Sequence, residues 1–221
     1  MFFDRLAEKD IQVLMLAGNH DTYFKNTNEV NSVELLLQEY TNIEVISEPK
    51  TVHVYDIPNH IQYPICMMPW ICPDNYENSI ENLKKTPAEV VMGHFEIAGF
   101  AMHRGMPSHE GLDRDLFKRF SLVFSGHYHH RSSQDNIRYL GNPYELTWQD
   151  YNDPRGFHIF DLSDRSLEFV ENPNVMFHKI SYNDKEDSIT EITTKDLSKY
   201  TNTYVKVVVI SKTNPFLDRK S

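Results

Sequence analysis

Cysteine is scarce in this sequence. Cys66 and Cys72 are the only two in 221 residues. They are too few for a disulfide scaffold, lack the spacing of metal-binding pairs and suit a reducing compartment. No apolar run approaches the ~20 residues a membrane-spanning helix needs. The opening Met1-Phe2-Phe3-Asp4 has no basic stretch leading into an apolar one, so neither a membrane segment nor a secretory signal is expected. Repeats and low-complexity tracts are also missing. Positive charge is in short supply, with 22 Lys and Arg against 32 Asp and Glu and a formal charge of −10. That balance excludes wrapping nucleic acid by bulk charge. It leaves a nuclease open, because bound divalent cations supply local positive charge. What the chain does have is 40% hydrophobic residues, enough to bury a core, and eleven histidines that call for a reason.

The periodicities alternate between helix and strand, which predicts an α/β fold. Residues 1–10 carry i, i+4 apolar pairs and read as the end of an amphipathic helix. Residues 11–17 form a short apolar run of the kind buried in parallel sheets. A helix is expected over 32–40 with Ser32 as N-cap, another over 78–85, and a short one near 113–120. Strands are expected over IEVISEP, TVHVYDI, YPICMMPWI, AEVVMGH, SLVFSGHYHH and IRYLGNP. A hairpin is expected around Ser163-Asp164, and one more strand over 203–211. The expected division is a domain over 1–175 and a partial one over 176–221, because the last forty residues hold too little apolar mass for a core of their own.

Three of the expected strands run into the same kind of ending: Gly18-Asn19-His20-Asp21, Gly93-His94 and Gly126-His127-Tyr128-His129. In open α/β sheets ligands bind beyond the carboxyl ends of the strands. A glycine there lets the chain turn sharply, and the Asn and His donors that follow can converge on one ion such as Mn²⁺, Fe²⁺ or Zn²⁺. In an extended His127-Tyr128-His129 the two imidazoles share a side, whereas a turn after Gly126 changes that. A Gly-His pair alone is ordinarily a turn. The three endings together, in this order, are specific.

The order GNHD…GH…GHxH resembles that of the calcineurin-like metallophosphoesterases. The stretches MLAGNHDTYFKN, MMPWIC, VMGHFEIAGF, FSGHYHH, RYLGNPYELTWQD and NDPRGFHIFD resemble the SbcD-like DNA repair nucleases within that superfamily, those of phage recombination in particular. The resemblance implies a four-layer αββα sandwich and a site for two divalent ions, usually Mn²⁺. It implies that Asn19, His94 and His127 ligate one ion and His129 the other. His20 then protonates the leaving oxygen, and Asp21 orients it. The function implied is hydrolysis of DNA phosphodiesters in recombination and repair, in the cytoplasm (the host's, if phage-encoded). The partners implied are DNA and an SMC-type ATPase, with a homodimer possible and no membrane.

The departure from the family pattern is as informative. Family members begin with strands ending in Asp-x-His and Gly-Asp-x-x-Asp, which supply the remaining ligands, and neither motif occurs here. The chain thus reads as N-terminally truncated, binding at most one ion and impaired as a nuclease by itself. The alternatives are a small-substrate phosphodiesterase or phosphatase of the same superfamily, and a catalytically dead binding fragment. His103, Arg104 and His109 read as polar surface, His130 as a neighbour of the site, Arg155 as a turn residue, and Trp70 and Trp148 as anchors.

Overall fold

The computed structural model describes residues 2–56, 59–103, 106–183, 185–187 and 194–211. The chain folds into two compact units, Met1–Asn142 with His158–Glu168, and Pro143–Phe157 with Phe169–Ser221. The expected boundary between residues 175 and 176 falls inside the second unit.

The first unit opens with α1 (Phe2–Glu8), β1 (Val13–Leu16), α2 (Ser32–Leu37) and β2 (Ile43–Ile46). There follow β3 (Lys50–Asp56), β4 (Ile61–Met68), α3 (Tyr76–Lys85), β5 (Val90–Gly93), the short ribbon β6 (Ala101–His103) and β7 (Met106–Pro107), then β8 (Leu122–Ser125), β9 (Ser132–Gln134) and β10 (Ile137–Tyr139). The strands β11 (Gly156–Phe160) and β12 (Leu167–Glu171) pair with each other, and the chain passes between the two units within both. The fold is mixed α/β. Its centre is a six-stranded sheet in the order β3-β4-β5-β8-β10-β9. The four inner strands run parallel, and β3 and β9 close the edges antiparallel.

The sheet is buried on both faces, which is why its inner strands read as unbroken apolar runs rather than alternating ones. Successive residues point to opposite faces. Cys66, Met68, Val91 and Val123 therefore join Leu83 of α3 and Phe117 in one cluster. Ile65, Met67, Val90 and Phe124 join Ile46 and Val52 in the other, with Leu16, Phe160 and Leu167 packed against it. β1 and β2 form a separate parallel pair, and α2 packs on β2.

The N-cap of α2 is Asn31, not Ser32. Its side-chain oxygen accepts the amide of Glu34 at 2.8 Å, and both residues can serve that role in sequence. The expected helix near 113–120 is a single 3₁₀ turn, Arg114–Phe117, capped by Asp113.

The second unit contains two further strands, β13 (Phe177–Asn183) and β14 (Tyr204–Ser211), paired in parallel. The sequence signals the latter but not the former, whose apolar residues are interrupted by His178, Lys179 and Ser181. Phe177 is buried, stacked on Tyr204 (5.3 Å between ring centres) and packed against Trp148 (4.9 Å). Arg155, immediately before β11, is bonded to Asp150 (2.7 Å) and Asp153 (2.8 Å).

Candidate metal centre

Strand register decides where the histidines emerge. Met68, Gly93 and Ser125 stand side by side at the carboxyl ends of β4, β5 and β8. The ladder continues one step past those ends, with the amide of His94 donating to Met68 (3.1 Å) and that of Gly126 to Gly93 (3.1 Å). His94 and His127 thus leave neighbouring strands at the same height. β1 belongs to another sheet but is tied in, because the amide of Trp70 donates to the carbonyl of Ala17 at 2.8 Å. That bond delivers Gly18 and Asn19 to the same place.

Two glycines are required by this crowding. A Cβ on Gly93 would lie 2.3 Å from the Phe95 ring, and one on Gly18 would lie 2.9 Å from Cε1 of His94. The carboxylate of Asp21 accepts the Gly18 amide (2.8 Å) and holds the Gly18–Asp21 turn closed. The Asp21 carboxylate therefore bonds within its own loop. Lys25 reaches back to the carbonyl of Asn19 (3.1 Å). The loop after Thr22 is pinned to the chain after β4, with Asn28 donating to Trp70 (2.9 Å) and Asn26 to Asp74 (3.3 Å).

The result brings Asn19, His94 and His127 together. Oδ1 of Asn19 lies 2.9 Å from Nε2 of His94, and the rings of His94 and His127 meet edge-on at 4.9 Å. Burial pushes His94 down to about 3, and the charges of His127, His20 and His129 add to the effect. Burial likewise lowers His127, opposed by Glu96 and assisted by His20 and His129. Both imidazoles are consequently neutral near pH 7, the form in which imidazole binds a metal.

His129 and His20 stand within electrostatic reach of this pair, with His20 exposed. The chain bends after Gly126 rather than running extended, so Tyr128 turns into the core and stacks on Tyr139 (4.7 Å). Glu96, missed in the sequence, has Oε2 4.0 Å from Nε2 of His127. Its spacing two residues after His94 was the available signal. Arg104 lies outside the described residues, and His109 is exposed.

The donor set fits a metal in part. Nδ1 of His127 is buried without a hydrogen-bond partner, and Asn19 adds an amide oxygen. Both suit an ion of intermediate softness. Among the described residues, however, no group of three His, Cys, Asp or Glu side chains is placed to hold one.

Comparisons with known proteins give the family. The family model of the calcineurin-like phosphoesterases matches residues 1–131. Exonuclease subunit 1 of Enterobacteria phage T4 is 37% identical over 204 residues, covering 92% of this chain and 56% of that protein. The chain therefore spans little more than half the length of that relative. No helix among the described residues is long and apolar enough to cross a membrane.

Proposed function

The chain belongs to the calcineurin-like phosphoesterases, a family of phosphoester hydrolases, and from that membership we propose that it is the metal-binding part of a nuclease that cleaves DNA phosphodiesters in recombination and repair. The observation that carries this reading is the meeting of Asn19, His94 and His127 at the carboxyl ends of strands from two sheets, with His20 exposed beside them. Asn19, His94 and His127 hold one divalent ion and His129 belongs to a second, Mn²⁺ in both cases. When bound, such ions neutralise charge on the phosphate oxygens and activate water. His20 carries the proton for the leaving oxygen. Asp21, by closing the turn on the Gly18 amide, sets where the His20 ring can stand.

DNA as substrate and an SMC-type ATPase as partner follow from the resemblance and from a relative that is itself an exonuclease subunit. The charge of −10 supports such a division of labour, since phosphate contacts must come from bound cations and a partner rather than from this surface. Host cytoplasm is the compartment this implies.

In the 221 residues taken alone the metal donors at this site are neutral, and a hard divalent ion is held chiefly by carboxylates. The chain by itself accordingly binds one ion weakly and cleaves poorly. The test is Mn²⁺-dependent cleavage of labelled DNA by the 221-residue chain, alone and joined to a segment carrying Asp-x-His and Gly-Asp-x-x-Asp. Negligible cleavage alone and cleavage by the joined form is the expected result. Robust cleavage alone overturns the impairment, and none from the joined form overturns the nuclease.

A further inference from the structure

His94 faces two spaces. Besides meeting Asn19 and His127, it lines a cleft of about 530 Å³ within the first unit, together with Trp70, Tyr76, Lys84, Glu96 and Asp113. That volume lies in the range of clefts that take small organic ligands, ~300–1,000 Å³. The cleft is built from the chain just after β4, the side of α3 that carries Tyr76 and Lys84, and the segment leading into the Arg114–Phe117 turn. Trp70 is held on both sides, its amide donating to Ala17 and its carbonyl accepting from Asn28 (2.9 Å) and Asn75 (3.0 Å). Its place beside the metal donors is therefore fixed by the same bonds that bring the Gly18–Asp21 turn there. Tyr76, at the start of α3, is 50% exposed.

The chemistry of the lining selects the ligand. Two carboxylates, Glu96 and Asp113, stand against one ammonium, Lys84. A phosphate in this space meets net repulsion. A neutral planar group with amino hydrogens meets aromatic rings to stack on and carboxylates to donate to. Nucleobases have that description, and adenine, cytosine and guanine each carry an exocyclic amino group. In a duplex the faces of a base are covered and its pairing edge is used, so only an unpaired nucleotide can enter.

We propose that this cleft binds the unpaired base of the nucleotide next to the scissile phosphate, with Trp70 and Tyr76 as the stacking surface and Glu96 and Asp113 as acceptors for its amino group. The inference rests on the phosphodiesterase reading of the adjacent site and names the state of DNA that site receives: single strands and frayed ends ahead of duplex interior. The net negative charge is no obstacle, because stacking requires none of the phosphate neutralisation that duplex binding does.

The experiment uses the full chain without metal, in chelator, so that binding is read apart from catalysis. The chain has two tryptophans. In a Trp148→Phe background Trp70 is the sole indole reporter. The probes are an eight-nucleotide deoxycytidine strand, an abasic strand of equal length and a blunt duplex hairpin. The cytidine strand is expected to quench Trp70 emission and the other two to leave it unchanged. Tyr76→Ala should weaken the cytidine strand about 5–150-fold, the worth of one stacked base, and Tyr76→Phe should restore it. Equal quenching by the abasic strand, no quenching at all, or an unchanged affinity in Tyr76→Ala overturns the pocket. Hydrolysis of bis(p-nitrophenyl) phosphate by the joined form separates the two readings, since it needs the metal site and no DNA strand. Its absence overturns the phosphodiesterase reading. Its persistence in Tyr76→Ala, beside weakened DNA binding, supports the pocket.

Discussion

Nε2 of His94 lies 2.9 Å from Oδ1 of Asn19, a contact between side chains 75 positions apart in the chain. Their loops follow strands of different sheets, and the end of β1 is tied to the chain after β4, the neighbour of β5, by a backbone bond from the Trp70 amide to the carbonyl of Ala17. An imidazole nitrogen and an amide oxygen, both potential metal donors, are thereby held side by side.

Metal titration of variants tests this arrangement directly. His94→Ala removes the donor shared between Asn19 and His127 and is expected to weaken Mn²⁺ or Zn²⁺ binding by tenfold or more, about 1.4 kcal/mol. Asn19→Ala should act in the same direction. His109→Ala, at an exposed position away from the cluster, should leave affinity unchanged. Calorimetry showing full affinity in His94→Ala would place the ion elsewhere.

The three strand endings were legible in the sequence because buried parallel strands are unbroken apolar runs and because a glycine marks each exit. The family and the mixed α/β class followed from them. Three things were not legible. The contact of the Asp21 carboxylate with the Gly18 amide depends on a turn geometry that the four letters GNHD do not encode. The bend after Gly126 is set by Tyr128 preferring the core beside Tyr139 to an extended path, a long-range packing effect. β13 was hidden because its exposed positions carry polar residues and its partner β14 lies over twenty residues later.

Arg155 is paired in the second unit with two carboxylates, Asp150 at 2.7 Å and Asp153 at 2.8 Å, and Arg155 and Asp150 are both almost fully buried. Asp150 also accepts the amides of Leu146 and Thr147. Removing the guanidinium leaves a buried carboxylate without its counter-charge, which costs about 3–5 kcal/mol. Arg155→Ala should therefore lower the urea midpoint of the transition that melts this unit by a corresponding amount. A catalytic arginine would instead leave stability intact and abolish activity.

Cys66 lies in the core, and burial pushes its thiol up to about 11, against the opposing effects of the Thr86 hydroxyl and the Arg119 charge. The folded state therefore prefers the protonated thiol. Its contribution is fully present below the unfolded value near 9 and is lost as the pH rises from there through about 11. The loss approaches 2–3 kcal/mol in order of magnitude at the alkaline end. Stability measured at pH 8 and pH 11 should differ less in Cys66→Ala than in the unaltered chain, although Cys66→Ala is less stable at both. Iodoacetamide at pH 8 should leave Cys66 of the folded protein unmodified. Rapid alkylation there would mean the strand opens.

His20 is the last residue to separate into roles. It is exposed while His94 and His127 are largely buried, and it perturbs both through its charge. A ligand is expected to be neutral and enclosed, as those two are. A proton donor has to reach the leaving oxygen of a substrate that arrives from solvent. In the form joined to the carboxylate-bearing segment, His20→Ala should cut cleavage by about 10²–10⁴-fold, the usual worth of general acid catalysis, with metal affinity nearly unchanged. A substrate whose leaving group needs no proton, such as p-nitrophenolate, should be cleaved by the variant with much smaller loss, because departure of a stable anion bypasses the missing acid. Metal affinity that collapses together with activity would make His20 a ligand. Equal losses on DNA and on the p-nitrophenyl ester would remove it from the proton-transfer step.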